Sequence, residues 1–93
     1  MRIELKKFGD LLTSRQDGRE ALSAIEPLLM GVTVNENIEL DFKGVTTFTP
    51  SWADEFITKL NERFGNRVFY LNDENSSVKA TLALLLKLKN KTI

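Results

Sequence analysis

The chain has 93 residues, of which 42% are hydrophobic and 28% are charged, with 13 basic and 13 acidic side chains. This size and composition predict one domain, residues 1–93, that folds without a metal ion or a disulfide. Because the sequence contains no histidine and no cysteine, a Ser-His-Asp triad, a Cys-His pair and the usual zinc ligands are excluded.

The first predicted elements are a strand and a capped helix. Residues 2–8 are predicted to form a strand with Ile3 and Leu5 on one face, and Lys6 and Lys7 place this strand near a sheet edge. Ser14 is the expected N-cap of the first helix, because Asp17 follows it at the spacing of a capping box. The helix should therefore begin near Arg15.

Two residues in the first helix disfavour regular helical structure. Gly18 costs about 1 kcal/mol relative to alanine inside a helix, so it either packs closely against a neighbouring element or leaves a gap for a ligand or partner. Pro27 lacks a backbone donor and crowds the preceding turn. We therefore expect the helix to kink or end near Glu26.

Residues 38–56 read as a strand, a hydroxyl-rich loop and the start of a second helix. Apolar residues alternate with acidic ones over positions 38–42, the pattern of a strand with one buried face. Ser51 is the predicted N-cap of the second helix, with Asp54 as its acidic capping-box partner. We expect this helix to cover residues 52–64.

The last predicted strand and helix follow Arg67. Residues 68–71 form an uninterrupted apolar run, which indicates a central strand covered on both faces. A third helix should begin after Ser76 or Ser77 and extend to about Lys89. Strands and helices thus alternate, which predicts an α/β fold with a small, mainly parallel sheet and about three to four helices.

The third helix has a wider apolar arc than one core contact requires. Its predicted core stripe consists of Val78, Thr81, Leu82, Leu85 and Leu86. Leu84 and Leu88 extend the arc beyond this stripe. They either belong to the core as well or bind another chain, which would be a second copy of this protein or a regulatory partner.

Two blocks of sequence resemble a known family. They are Leu-Asp-Phe-Lys-Gly-Val-Thr at 40–46 and Pro-Ser-Trp-Ala-Asp-Glu-Phe at 50–56, with shorter matches at 12–15 and 77–79. The sequence resembles the STAS superfamily of sulphate-transporter and anti-sigma-factor-antagonist domains, and more narrowly the STAS-like family of unknown function in short bacterial and phage proteins. The resemblance implies a small mixed sheet with helices, no catalytic activity, no cofactor, and a partner-binding loop before the second helix.

In the antagonist members, this loop carries a serine that an ATP-binding partner kinase phosphorylates, and Ser51 stands at the corresponding position. Thr49, Pro50 and Trp52 depart from the antagonist pattern, which has an acidic residue, a small hydroxyl residue and a glycine there. Ser51 is therefore either a phosphorylation site or only a helix cap. The residues that the resemblance implies for the partner-binding loop are Thr46, Thr47, Thr49, Ser51, Trp52 and Asp54.

Three functional hypotheses follow. The first is a non-enzymatic regulatory domain that docks on another protein through residues 46–52 and the following helix. The second is a small nucleotide- or anion-binding protein that uses Asp41, Arg15 and the threonines, although no glycine-rich phosphate-binding motif is present. Asp41 would otherwise bond loop amides beside Gly44, and Arg15 would be a solvated surface residue.

The third hypothesis is contact with nucleic acid through the lysine-rich C-terminus. The last 17 residues contain four lysines and no acidic residue, but no interleaved aromatic residues, which makes this footprint weak. No apolar run approaches the ~20 residues of a membrane span. Because an export signal is also lacking, we expect a cytoplasmic protein that makes no membrane contact and binds another protein, with a homodimer as a further option.

Overall fold

The computed structural model describes residues 1–90 of the chain, and their side chains as far as Lys87. The second helix spans residues 50–64 in three consecutive segments, namely α-helical Pro50–Ala53, π-helical Asp54–Thr58 and α-helical Lys59–Phe64. In chain order the elements are β1 (Arg2–Glu4), β2 (Leu11–Leu12), α1 (Arg15–Leu29), β3 (Ile38–Asp41), β4 (Thr47–Phe48), α2 (residues 50–64), β5 (Val68–Leu71) and α3 (Ser76–Asn90).

The strands form two small parallel sheets. The main sheet has the order β1-β3-β5, and the second sheet consists of β2 and β4. All three strand pairings are parallel, which confirms the predicted α/β architecture with a mainly parallel sheet. The second sheet was not expected, because strands of two residues are too short to show a periodicity of two.

Two predictions about the main sheet are wrong. The first strand ends at Glu4 instead of continuing to residue 8, because Leu5–Phe8 forms a 3-10 turn that buries Leu5 completely. The last strand, β5, lies at the edge of the sheet and not at its centre. Phe69 on this strand is 47% exposed, so the apolar run of β5 is covered on one face only.

Helix α1 begins as the sequence predicts and ends later than it predicts. The Ser14 hydroxyl oxygen accepts a hydrogen bond from the backbone N–H of Asp17 at 3.0 Å, which confirms the N-cap. Of the two alternatives predicted near Glu26, a kink or an end, the end is wrong, because the helix includes Pro27 and continues to Leu29. Pro27 is exposed, so solvent can hydrate the backbone carbonyl that loses its helical donor.

Helix α2 supplies the largest share of the aromatic core. Its residues 52, 56 and 60 are spaced by four, a spacing that drifts about 40° per step around a regular α-helix of 3.6 residues per turn. The π-helical segment has a wider turn and thereby reduces this drift. The side chains it keeps on one buried face are Trp52, Ala53, Phe56, Ile57 and Leu60.

Helix α3 packs through the first part of its predicted core stripe. Val78, Thr81 and Leu82 are buried and Leu85 packs partly against the core. The prediction that Leu86 belongs to the core is wrong, because this residue is 51% exposed. Leu84 is 40% exposed, and the side chain of Leu88 lies outside the described residues.

Candidate functional site

The site predicted from the sequence lies at the β4–α2 junction, which we define as residues 46–54. One side of this junction is bonded to the chain around β2. The backbone N–H groups of Thr46 and Thr47 donate to the carbonyl of Asp10, and the N–H of Thr49 donates to the carbonyl of Leu12 at 3.1 Å. The junction is therefore held as an extension of the second sheet instead of forming an independent loop.

The other side of β4 is closed by helix α3. The backbone N–H of Phe48 donates to the Ser77 hydroxyl at 2.9 Å, and the Phe48 carbonyl accepts from the hydroxyls of Ser77 and Thr81 at 3.0 and 2.6 Å. The side-chain amide of Asn75 also donates to the carbonyl of Thr46. The hydroxyl groups of α3 thus bond to the backbone N–H and carbonyl of Phe48, to which a further strand would otherwise bond.

The three threonines of the junction differ in accessibility. The hydroxyl of Thr46, which is exposed, donates to the carbonyl of Asp10 at 3.0 Å, and that of Thr49 donates to the carbonyl of Thr13 at 2.8 Å. Thr47 is half-buried within β4. The hydroxyls of Thr46 and Thr49 therefore brace the junction against the β2–α1 connection.

The prediction that Ser51 caps helix α2 is wrong. The helix begins at Pro50, and Thr49 takes the N-cap position without a side-chain capping bond. Proline favours the first helical position because the N–H that it lacks would have no helical partner there. The helix therefore begins two residues earlier in the chain than predicted. Ser51 lies inside the first turn, is exposed, and its hydroxyl bonds to no other residue that the structure describes.

Trp52 lies beneath the predicted contact surface instead of on it. Its indole is 1% exposed and stacks on Phe56 with the ring centroids 4.8 Å apart. The rings of Phe48 and Phe8 lie at 5.7 and 6.2 Å. In this structure Trp52 therefore anchors the start of α2 to the core, and Ser51 and Pro50 form the accessible part of that turn.

Asp54 bonds to helix α1 and makes no capping-box contact. Arg15 Nη1 donates to Asp54 Oδ2 at 2.9 Å and to Glu55 Oε2 at 2.7 Å. The Arg15 bond holds the pKa of Asp54 below its ordinary value. The prediction that Arg15 is only a solvated surface residue is wrong, because its guanidinium bonds to two carboxylates. These carboxylates belong to adjacent residues, which point about 100° apart around a regular helix.

A close helix contact explains why these charges meet. A Cβ atom on Gly18 would lie 2.6 Å from the carbonyl oxygen of Trp52 and 3.2 Å from the Cβ of Glu55. This confirms the close-packing interpretation of Gly18, because a larger residue would push the helices apart. We call the contact formed by Gly18, Arg15, Arg19, Asp54 and Glu55 the α1–α2 seam.

Asp41 lies in a separate cluster at the carboxyl end of β3. Its carboxylate accepts from Asn72 Nδ2 at 2.8 Å, from Arg2 Nη2 at 2.6 Å and from the backbone N–H of Lys43 at 3.0 Å. The bonds from Asn72, Arg2 and Lys43, in that order of effect, lower the pKa of this buried carboxyl to about 2. We call these four residues the Asp41 cluster. The predicted bonding of loop amides is confirmed at Lys43.

A cleft that the sequence did not reveal opens beside the Asp41 cluster. It has a volume of about 440 Å³ and lies where parallel strands end, the edge at which α/β sheets commonly bind ligands. Asp41 and Arg15 share no bonding partner, so the residues of the second hypothesis are not brought together. The lining residues are Arg2, Phe42, Lys43, Gly44, Val45, Asn72, Glu74 and Asn75.

Two further properties limit the chemistry of the described residues. Among residues 1–90, no group of three or more acidic side chains is placed to hold a metal ion. No helix in that range is long and apolar enough to cross a membrane. Of the four lysines predicted to contact nucleic acid, Lys79 and Lys87 are exposed, whereas the side chain of Lys89 and all of Lys91 lie outside the described residues.

Comparison with known proteins identifies the family. The model of the STAS-like domain of unknown function (DUF4325) matches residues 17–79, a range that extends from the first turn of α1 into the start of α3. No curated protein and no solved structure gives a significant match. With its parallel α/β fold and a family match over most of its length, the chain belongs to the STAS-like domain family of unknown function.

Proposed function

We propose that this chain is a non-enzymatic regulatory domain that binds another protein through the β4–α2 junction and the first turn of α2. The observation that carries the proposal is the state of Ser51. Its hydroxyl is exposed and does not cap the helix, so helix capping does not explain why a serine stands at this position.

The junction also has the rigidity that favours recognition. Residues on either side of Ser51 are bonded to neighbouring elements, since Thr49 donates to Thr13 and Trp52 is buried in the core. An exposed group on a fixed frame loses little conformational entropy when a partner binds. A surface of this kind supports docking better than a mobile loop would.

The family resemblance supports an ATP-binding, kinase-like protein as the partner and Ser51 as the residue it modifies. A phosphate on Ser51 would lie in the first turn of α2, where the helix dipole favours negative charge. It would also lie one turn from Asp54, whose carboxylate would repel it. Phosphorylation would therefore change the charge of the docking surface without requiring a change of fold.

Site-specific crosslinking tests the location of the docking surface. A photoreactive phenylalanine analogue should replace Ser51 in the full chain, expressed in the cells from which the sequence comes. The matched control carries the same analogue at Val34, which is 83% exposed on the α1–β3 connection. We expect a discrete adduct from position 51 that position 34 does not give. Identical adducts from both positions, or adducts from neither, would contradict the proposal.

Intact-mass measurement tests the modification separately. Protein isolated from those cells, or incubated with the crosslinked partner and ATP, should gain the mass of one phosphoryl group, and Ser51→Ala should prevent the gain. Ser51→Glu should weaken crosslinking from a neighbouring probe at Pro50. If no mass is gained although crosslinking succeeds, the junction is a docking surface without phosphorylation.

The cleft beside the Asp41 cluster supports a second candidate function, the binding of a small anion or nucleotide. Arg2 and Lys43 line the cleft, and they are the cationic groups such a ligand would need. Calorimetric titration with ATP, GTP and inorganic phosphate tests this function. Binding that Lys43→Gln abolishes would support it, and the absence of heat with all three ligands would exclude it for these classes.

A further inference from the structure

The register of the main sheet separates its side chains into two faces. On one face, Ile3, Leu40 and Ile38 are buried in the core. The opposite face, which we call the outer face, carries two rows of residues across the three strands. These rows are Arg2, Glu39 and Phe69, followed by Glu4, Asp41 and Leu71.

Much of the outer face is open to solvent. Phe69 is 47% exposed, the side chain of Arg2 is 53% exposed, and Glu4 is exposed as well. Glu39 and Leu71 are half-buried between their neighbours on this face. Parallel sheets in proteins are almost always covered on both faces. An uncovered parallel sheet with an exposed aromatic residue therefore lacks a layer that such sheets normally have.

Charge and apolar surface are separated across the outer face. On β1 and β3, Arg2 pairs with Asp41 at 2.6 Å and attracts Glu4 and Glu39 over a longer distance. Glu4 and Glu39 form no close ion pair among the described residues, so three carboxylates share one guanidinium on this side. On β5, the outer face consists of Phe69 and Leu71. The surface is thus acidic along one side and apolar along the other.

The dimensions of the outer face fit one helix. Strands lie about 4.8 Å apart, so the two outer strands of the sheet are separated by about 10 Å. An α-helix with its side chains is about 10–12 Å across. The four residues of β3 span about 13 Å, which corresponds to roughly nine helical residues at 1.5 Å each.

We propose that the outer face docks a single amphipathic helix of a partner protein, with basic side chains along one flank and apolar side chains along the other. The basic flank lies over Glu4 and Glu39, and the apolar flank lies over Phe69 and Leu71. This surface is distinct from the β4–α2 junction, so the inference does not depend on the function proposed for the junction.

A second copy of the chain fits the outer face less well. A two-fold axis through a face-to-face contact would run close to β3, the central strand. Glu39 would then approach its own copy, and like charges brought together in an interface oppose association. A basic helix neutralises the same carboxylates, so charge complementarity favours the helix.

Binding of defined peptides tests this inference. The probe is a fluorescent peptide of 12 residues, held helical by a side-chain crosslink, with leucines along one flank and lysines along the other. Its counterpart has glutamates in place of the lysines. We expect saturable binding of the lysine peptide to the full chain by fluorescence anisotropy, weakening as salt is raised, and at least tenfold weaker binding of the glutamate peptide.

Matched variants locate the binding. The double variant Glu4→Gln with Glu39→Gln should weaken binding about tenfold, because it removes both carboxylates that face the lysines of the peptide. The control, Glu20→Gln with Glu62→Gln, removes the same charge from exposed helix positions and should change affinity less than about twofold. Phe69→Ser should weaken binding while leaving circular dichroism unchanged.

Three results would overturn the proposal. The glutamate peptide could bind as tightly as the lysine peptide, which would exclude charge recognition. The control variant could weaken binding as much as the outer-face variant, which would show unspecific attraction. Sedimentation could show a dimer that Phe69→Ser dissociates, in which case a second copy covers the outer face.

Discussion

The Asp41 cluster and the α1–α2 seam are both ionic, but they hold the fold in different ways. Asp41 is 4% exposed, and its carboxylate receives three hydrogen bonds from three separate parts of the chain. In the seam, Arg15 is nearly half exposed and bonds to a partly exposed Asp54. Buried bonds are worth more than exposed ones because solvent cannot replace them.

The stability of the α1–α2 seam depends on close packing of the two helices instead. Gly18 brings the backbone of α1 against the carbonyl of Trp52, and the arginine bonds form only because the helices already touch. We therefore expect the Asp41 cluster to be sensitive to loss of charge and the seam to be sensitive to added volume. The following changes test this difference.

The largest loss of stability should come from Asp41→Ala. The change leaves the Asn72 amide and the Lys43 N–H without their acceptor, and we expect the free energy of unfolding to fall by about 3 kcal/mol. Urea denaturation followed by circular dichroism measures it. The control Glu62→Ala removes an exposed carboxylate and should cost less than about 0.5 kcal/mol. Equal losses in both variants would contradict the assigned role of the cluster.

Acid should remove the same contribution. The pKa of Asp41 is lowered from 3.8 to about 2 in the folded chain, so its ionised form stabilises the fold above pH ~4, and this stability is lost as the pH falls toward 2. Asp41→Asn should make the decline of stability with acid shallower, while Asp54 still contributes. An unchanged slope between pH 4 and 2 would count against this assignment.

Gly18→Ala should produce the next largest effect. Alanine improves helix propensity by about 1 kcal/mol, but its Cβ would lie 2.6 Å from the backbone oxygen of Trp52, an overpacking that typically costs 1–3 kcal/mol. We expect a net loss of about 1 kcal/mol in the free energy of unfolding. The control Gly31→Ala, whose Cβ would meet its nearest atom at an ordinary 3.6 Å, should not destabilise the fold. A gain of stability from Gly18→Ala would show that the seam is loosely packed.

Two variants at the junction should distinguish a hydroxyl that stabilises the fold from one that is only exposed. Thr49→Val removes the hydroxyl that donates to Thr13 at 2.8 Å and should cost about 1 kcal/mol in thermal or urea unfolding. Ser51→Ala should leave stability unchanged within error, whereas loss of a true N-cap costs about 1 kcal/mol. The reverse order of effects would restore Ser51 as the cap.

Among the changes expected to lower stability, Arg15→Gln should have the smallest effect. Exposed ion pairs contribute little because solvent screens them, so the loss should be smaller than that from Gly18→Ala and should vanish at high salt. Unfolding measured at low and high sodium chloride checks this expectation. A loss that persists at high salt would show that Arg15 acts by packing and not by charge.

Local signals in the sequence were sufficient where the partners are close along the chain. Ser14 and Asp17 are three residues apart, and their capping bond was predicted correctly. The predicted end of the second helix at residue 64 is likewise correct, and Gly65 directly after it has a positive φ of 61°, which favours glycine. Such interactions depend on a few neighbouring residues and are visible in one short segment.

The failed predictions have local and distant causes. Ser51 was displaced from the cap position by a neighbouring residue, because Pro50 favours the first helical position. Thr49, which precedes Pro50, is in addition bonded to a carbonyl 36 residues away. The apolar run of β5 gave no indication that one of its faces is uncovered. The parallel α/β fold was nevertheless predictable, because the alternation of strands and helices depends on element order and not on these individual contacts.

The Asp41 cluster was only half predictable. Its bond to the backbone of Lys43 joins residues two positions apart, whereas its bonds to Arg2 and Asn72 join residues 39 and 31 positions apart. No pattern within a single segment indicates such a meeting. The cleft beside it was missed for the same reason, because its lining comes from three separate parts of the chain.

The hydroxyl bonds of α3 to Phe48 also restrict the way in which the proposed partner could contact the junction. Many regulatory domains bind peptides by extending a sheet with a strand from the partner. Here Ser77 and Thr81 already occupy the free backbone groups of Phe48, so a peptide would have to displace α3 before it could pair with β4. A partner that binds at the junction, as we propose, would therefore contact side chains such as Ser51 and would not add a strand to β4.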